Sequence, residues 1–516
     1  MTSNRPAGLW RRDSEFGRRD KDTLAVEPWT FEQIRRVTLS RRLNRGELEF
    51  RGRICIDSRQ VMEGDLFIAI RGRRHDSHRF IRQVVAGGAA GLLVDRPLDP
   101  DVTRLVTRSS VTLLHADDTI GAMNRLAAAY RRDIRAKVIA VGGSNGKTTT
   151  KQIIYTLLAR RFAGIASPKS FNNNIGLPLA ILSVQARYEY VVLEVGTSAP
   201  GEIAALGHVA MPDMAVLTGI GLEHMEFLGG LPEIAREEAA LARFIRPGGI
   251  LILTNLSPEL LAALRLLRTP RLTVGPAGTG ADLEATSIIE NMDGCRFVIN
   301  GRTSYHLPLL GRHNVFNALL AIAVARRMGL REEEIAAGLL TVKPSPMRLE
   351  IQQVQRHFVL NDAYNANPAS MCAALETFAG IYPPAAVGRS VRRVAILGDM
   401  LELGGQSDFL HRQVGRQVAA HRIDFFIAIG PSMKCAADEA AAAGVPVHHF
   451  PDTPTAAERI APLLLPFDAI LLKASRGMRL ESILDALRGG EESSRPAGAV
   501  VGTQEPRNIF GLERIV

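Results

Sequence analysis

The stretch Val138–Lys151, V-I-A-V-G-G-S-N-G-K-T-T-T-K, constrains the fold more than any other part of the chain. Four apolar residues in a row (Val138–Val141) suit a strand buried on both faces. Gly142, Gly143 and Gly146 then open a tight loop, and Lys147 with three threonines begins a helix. A strand running through glycines into a helix is a unit of an open α/β sheet. It turns backbone N–H groups and the positive end of the helix dipole toward an anion. In that pattern the loop (Gly143, Ser144, Asn145, Gly146) and the helix start with Thr149 cradle phosphates. Lys147 reaches the β- and γ-phosphates, and the Thr148 hydroxyl takes a place on Mg2+. Val141 stands where the full pattern has its first glycine. A bare glycine-rich turn is the alternative, and G-K-T directly after a strand weighs against it.

At 516 residues the chain is too long for one core and implies about three domains. Its longest apolar runs are strand-sized, so no membrane span is expected. No apolar segment marks the N-terminus as a secretory signal, and Cys55, Cys295, Cys372 and Cys435 form no C-x-x-C pair. Both features fit a reducing, cytoplasmic setting. The net charge is +10, and residues 1–53 hold thirteen Lys/Arg against eight Asp/Glu. Aromatics make up only 5% of the chain and do not alternate with basic residues, so nucleic-acid binding is not expected. A solvated basic tail or attraction for small anions accounts for the charge.

Residues 1–28 read as a disordered extension. A domain over 29–132 follows, opening on a helix at Thr30–Val37 capped by Thr30. In it Asp57, Ser58 and Arg59 end the strand beginning at Ile54, as a ligand-presenting loop or simply a satisfied turn. Over 133–345 strand and helix alternate, with strands expected at Val138–Val141, Tyr190–Val195, Met214–Thr218 and Ile250–Thr254, as a mostly parallel sheet requires. Polar groups gather at their C-terminal ends, where such sheets bind ligands. Glu194 closes an apolar strand, which is costly without a paired cation or donor. His224 and Glu226 follow the next strand, and Glu237 and Glu238 lie on a helix whose default reading is a solvated face. Beside a phosphate loop such groups can hold Mg2+. A helix over Pro308–Leu330 carries His313, Asn314 and Asn317 on its first turns; Asn314 either caps it or, with Asn317, meets a base. After the linker K-P-S-P-M-R (Lys343–Arg348), a second α/β alternation fills 346–490. Asp362, Asn365, Asn367, Asp399, Lys473, Ser475 and Arg476 cluster there just after strands. Residues 491–516 read as a peripheral tail.

Eight motifs in one order resemble the Mur ligase family over roughly residues 30–490. They are I-D-S-R-Q-V with G-D-L-F-I-A-I-R-G, G-S-N-G-K-T-T-T-K, F-N-N-N-I-G-L-P-L, E-V-G-T-S-A-P-G-E-I, L-T-G-I-G-L-E-H-M-E-F-L-G, L-L-G-R-H-N-V-F-N-A, D-A-Y-N-A-N-P-A-S-M and L-G-D-M-L-E-L-G. Y-N-A-N-P is similar to the branch that adds D-alanyl-D-alanine to UDP-N-acetylmuramoyl-tripeptide. The resemblance implies an N-terminal UDP-binding α/β domain, a central ATPase and a C-terminal Rossmann-like domain. It further implies ATP and Mg2+ as cofactors, an acyl-phosphate route, and a monomer. Lys147 would be catalytic together with Glu194, His224 and Glu238. Thr148, Glu194, His224 and Glu238 would hold metal. Asn314 and Asn317 would contact adenine, and Arg348 and Asp362 would close over ATP. Ser58 and Arg59 would bind the UDP-sugar, with Asn365 and Asn367 near the incoming dipeptide.

The chain departs from the family at Gly142, where threonine is usual, and at Asn361-Asp362, usually an acidic pair. It also departs near Glu238, where relatives carry a lysine carbamoylated by CO2. Glu238 is therefore expected to supply a carboxylate directly, with Glu237 as its rival. A related ligase with another amino acceptor and a nucleotide-binding protein that has lost catalysis are the remaining alternatives.

Overall fold

The computed structural model describes residues 29–489, apart from 45, 47, 48, 51, 73, 74, 169 and 383–390. The extension expected over 1–28 and the tail over 491–516 lie outside the described residues. Three sheets follow one another along the chain in a three-domain α/β arrangement.

The first sheet orders its strands Arg41–Arg42, Thr112–His115, Gly91–Val94, Leu66–Ile68 and Ile54–Cys55. All neighbours are parallel except the first pair. Thr30 caps the helix Phe31–Thr38 through a reciprocal box with Gln33. Phe31 and Ile34 from that helix pack on Leu66, Leu93 and Leu114.

The second sheet has nine strands, and the strand Lys137–Gly142 lies between Met214–Leu217 and Tyr190–Glu194. Both pairings are parallel and in a register that sets Val141 beside Glu194 and Gly142 beside Leu217. The sequence pattern did not disclose the other edge, where Leu283–Asn291, Gly294–Ile299 and Thr303–Leu307 run antiparallel. Alternate residues of Leu283–Asn291 are more exposed, as a strand with one solvated face requires. The helix His313–Arg327 is apolar nearly all round and buried against the helix Lys147–Leu158, sharing a core with Ile153, Leu157, Ala318 and Leu319. It starts five residues later than expected. Leu309 and Leu310 precede it, and Gly311 there takes φ 90°, a turn that L side chains avoid.

The third sheet orders Glu350–Val354, His357–Asn361, Ala469–Lys473, Arg393–Gly398, Phe425–Ile429 and Val447–Phe450, parallel except at its first pair. Its core takes in Leu310 and Leu349, and Leu222 and Met225 of the second unit pack against the same cluster. This apolar contact brings the carboxyl ends of strands from both sheets to a shared cavity of about 830 Å3. Among the described residues no helix is long and apolar enough to cross a membrane.

Candidate active site

The glycine loop is held from below by the neighbouring strand end. Thr218 donates both its N–H and its hydroxyl to the Gly142 carbonyl, each at 3.0 Å. Ser144 and Asn145 donate their N–H groups to the Gly219 carbonyl at 2.9 and 3.1 Å. Gly143 has φ 111°, and a Cβ there would lie 2.3 Å from the Thr218 hydroxyl. Only glycine allows this approach. The Gly143 N–H is directed to the carboxylate of Glu238 at 2.7 Å. Three N–H groups expected to face phosphate are thus committed inside the protein. The donors left for an anion are those at the start of the helix Lys147–Leu158, which have no intrahelical acceptor.

Lys147 sits over this helix start, donating to the Gly143 and Ser144 carbonyls and lying 3.6 Å from Glu223. Burial works to lower its pKa, but the field of Glu223, Glu238 and Glu194 prevails and raises it. Lys147 therefore stays a cation at the place where a polyphosphate would lie. Glu223 was not expected from its motif; an acidic residue in a loop carries no signal of the lysine it will meet.

Glu194 is 1% exposed and accepts through both oxygens. Its carboxylate accepts from Thr148 Oγ1 at 2.9 Å, from Lys151 Nζ at 3.0 Å and from Asn172 Nδ2 at 3.2 Å. Burial lowers the pKa of Lys151, against the pull of Glu194. Thr148 Oγ1 also accepts from Arg348 Nη2 at 3.0 Å. The guanidinium of Arg348 lies 4.1 Å above the ring centre of Tyr364, whose hydroxyl bonds Ser170 Oγ at 2.5 Å. Arg348 thereby joins the third unit to the phosphate loop of the second.

Glu238 is fully buried, not on a solvated face. Burial pushes its pKa up to about 7, opposed by Lys147 and the Gly143 N–H and assisted by Glu223. Its Oε2 accepts from Gly143, while Oε1 has no hydrogen-bond partner among the described residues. Glu237, the rival, caps a different helix: it accepts the N–H groups of Gly201 and Ile203, both at 2.9 Å. His224 takes φ 51° and pairs through Nδ1 with Glu402, itself at φ 63°. Two side-chain-bearing residues in left-handed conformation, holding each other across the cavity mouth, mark a constrained contact. A cation at His224 would have to use Nε2.

The residues present fit Mg2+. Thr148 and Glu194 offer hard oxygen donors, and the orphaned Glu238 Oε1 is a buried acceptor that a cation would satisfy. Among the described residues no three His, Cys, Asp or Glu side chains form a ready cage. That suits an ion held by one or two carboxylates together with substrate phosphates.

Asn314 and Asn317, expected to meet the base, both line the cavity, and neither caps the helix. Asn314 donates to the Leu310 carbonyl at 2.6 Å, Asn317 donates to Asn314 Oδ1 at 2.8 Å, and Thr150 donates to Asn317 Oδ1 at 3.2 Å. A Cβ on Gly146 would lie 2.3 Å from Asn317 Oδ1, so these amides brace the loop and keep one N–H each for a ligand. Asp362 accepts the Leu349 N–H at 3.1 Å and the ammonium of buried Lys473 at 2.6 Å. Lys473 also donates to the Asn365 carbonyl at 2.9 Å. Asn367 caps the helix Pro368–Ile381 and donates to Asn145 Oδ1 at 2.9 Å. Ser58 and Arg59 form a short turn in which Asp57 accepts from Arg59 at 2.7 Å, and neither residue lines the cavity.

Strand ends, phosphate loop and buried carboxylates around one lysine define a nucleotide-dependent transferase or ligase site. Residues 141–325 match the family described as Mur ligase middle domain, and 347–476 match Mur ligase, glutamate ligase domain. The UDP-N-acetylmuramoyl-tripeptide--D-alanyl-D-alanine ligase of Bacillus subtilis is 34% identical over 84% of this chain and 92% of its own length. The enzyme of the same name from Escherichia coli is 33% identical over 84% of this chain and 93% of its own. Among solved structures, MurF from Acinetobacter baumannii is 29% identical, with a TM-score of 0.78, covering 90% of this chain and all of that one. MurF from Thermotoga maritima in complex with ADP has a TM-score of 0.72 at 25% identity over 86% of this chain and 99% of its own. The chain belongs to the Mur ligase family.

Proposed function

We infer that the chain is an ATP-dependent ligase that joins D-alanyl-D-alanine to UDP-N-acetylmuramoyl-tripeptide, giving the pentapeptide, ADP and phosphate. The observation that carries this reading is agreement with relatives of that name over 84% of the chain, together with a phosphate loop facing a cavity between two sheets.

A carboxylate is a poor electrophile, so it must be activated before an amine can attack. The γ-phosphoryl group of ATP passes to the tripeptide carboxylate, and the amine of the dipeptide then displaces phosphate from the acyl phosphate. In this reading Lys147 and the helix start neutralise charge on the transferring group, and the buried setting strengthens each contact. Thr148, Glu194 and Glu238 would hold Mg2+, with His224 contributing Nε2, and the ion would supply positive charge that offsets the charge of the polyphosphate. Arg348 and Asp362 close over the nucleotide, Asn314 and Asn317 border its base, Ser58 and Arg59 take the UDP end, and Asn365 and Asn367 stand near the dipeptide. The corresponding domains are 29–132, 133–345 and 346–490, and a cytoplasmic setting goes with this reading.

The test is phosphate release from ATP. It is expected only when UDP-N-acetylmuramoyl-tripeptide and D-alanyl-D-alanine are both present. Release with a different amino acceptor, or no release with both substrates, would overturn the reading.

A further inference from the structure

The cavity must hold three anions: a polyphosphate, the carboxylate that becomes activated, and the carboxylate of the incoming dipeptide. Among the described residues its wall carries four Lys or Arg side chains: Lys147, Arg348, Lys473 and Arg476. Three of them are already committed. Lys147 lies on the phosphate loop among Glu223, Glu238 and Glu194. Arg348 stacks on Tyr364 and donates to Thr148. Lys473 is 2% exposed, with its ammonium on Asp362 and the Asn365 carbonyl.

Arg476 differs. Its side chain is 52% exposed, and one guanidinium nitrogen, Nη1, is paired at 2.9 Å with Glu481. That leaves donors of a planar fork, the geometry that receives a carboxylate in two parallel bonds. The backbone fixes where this fork stands. The Arg476 N–H donates to Asn365 Oδ1 at 3.3 Å, so the amide NH2 of Asn365 remains as a second donor beside it. The preceding residue, Ser475, is held at both ends, accepting the Leu401 N–H and donating to the Ala366 carbonyl. Ala366, Ala369, Ala373 and Leu401 line the same cavity and suit a ligand with methyl side chains.

We propose that Arg476, assisted by Asn365, is the receptor for the C-terminal carboxylate of the incoming D-alanyl-D-alanine. This rests on the reading of the acceptor as that dipeptide. Holding the far end of the dipeptide leaves its amine to approach the activated carboxylate, so Arg476 is a binding and specificity residue and touches no reacting atom. Its head group is half exposed, its partner Glu481 keeps 29% side-chain exposure, and a glutamine at 476 retains an amide donor for that carboxylate.

The experiment compares D-alanyl-D-alanine with D-alanyl-D-alaninamide, which lacks the negative charge, in the phosphate-release assay. For the unaltered protein the KM of the amide is expected to exceed that of the dipeptide by about 10- to 100-fold, the range of a lost charged hydrogen bond. In Arg476→Gln the KM of the dipeptide rises by a similar factor and the ratio of the two KM values falls toward one. Arg476→Lys lies between, and the KM values for ATP and UDP-N-acetylmuramoyl-tripeptide stay within about twofold. Turnover of the dipeptide by the unaltered protein tests the proposed function separately. Given that turnover, an amide as good as the dipeptide, a preserved ratio in Arg476→Gln, or a parallel rise in all three KM values would overturn the assignment.

Discussion

Glu238 Oε2 accepts the N–H of Gly143 at 2.7 Å, and a Cβ placed on the adjacent Gly142 would sit 3.0 Å from that same oxygen. Two of the three departures expected from the family pattern, at Gly142 and near Glu238, therefore touch each other. Gly142 is what makes room for the carboxylate, with Leu217 and Leu241 closing the remaining sides at 3.2 and 3.3 Å. Gly142→Ala is expected to cost about 1–3 kcal/mol by overpacking, seen as a lower unfolding midpoint. Combined with Glu238→Ala it should cost much less than the sum, because the crowding oxygen is gone. Additive losses would show that the two positions are independent.

The raised pKa of Glu238 gives a pH dependence of definite sign. Its folded value of about 7 exceeds the ordinary 4.5, so between these values the folded protein holds a proton that the unfolded chain releases. The stability contributed by this group is fully present below pH 4.5 and is lost as pH rises through 7, by about 3 kcal/mol in the metal-free protein. Glu238→Gln has no such proton to lose. Thermal unfolding of the two proteins without Mg2+ should diverge in favour of the variant between pH 5 and 8, and parallel curves would contradict the assignment.

If Glu238 also serves Mg2+, the ion favours the ionised carboxylate. Addition of Mg2+ should then raise the unfolding midpoint of the unaltered protein more at pH 8 than at pH 6. In Glu238→Gln the gain should shrink, and full activity should require more Mg2+. Full activity of that variant at low Mg2+ would remove Glu238 from the metal site.

Arg348 makes two contacts that lysine cannot reproduce together: the stack on Tyr364 at 4.1 Å and the bond to Thr148 Oγ1 at 3.0 Å. Arg348→Lys is expected to raise the KM for ATP and lower kcat, together by about 10- to 100-fold in kcat/KM. Tyr364→Phe keeps the ring and loses only the bond to Ser170, so it should cost less than tenfold. Equal effects of both would point to a general loss of closure.

The phosphate loop, Glu194 and the parallel strands around them were legible because their signals lie within a few residues of each other along the chain. The internal bonds made by the loop's N–H groups at Gly143, Ser144 and Asn145 were not legible. Their acceptors, Glu238 and Gly219, stand far away in sequence, and glycine content alone says nothing of which way an N–H points. The same limit hid the His224–Glu402 pair, 178 residues apart, and the bond from Lys473 to Asp362, 111 residues apart. The antiparallel edge over Leu283–Leu307 went unread because its alternation is faint in the letters and becomes clear only when each face is seen against solvent. Glu237 and Glu238 illustrate the point at single-residue scale. Adjacent and chemically identical, one caps a helix at Gly201 and the other is buried against the phosphate loop.

Lys473 and Asp362 give the last prediction. The ammonium is 2% exposed, and its bonds to Asp362 and to the Asn365 carbonyl tie together the two ends of the loop 362–365, proposed above to face nucleotide and dipeptide. Removing one partner strands a buried charge, so Lys473→Met should destabilise by about 3–5 kcal/mol. Removing both charges, as in Lys473→Met with Asp362→Asn, should recover a large part of that loss in unfolding experiments while leaving the loop without its tie. Catalysis should separate from stability in the double variant: the protein folds, but the KM values for ATP and for the dipeptide rise together, and that for the UDP-linked substrate does not. A double variant that regains both stability and unaltered KM values would show that the pair holds the fold alone and has no part in placing the two substrates.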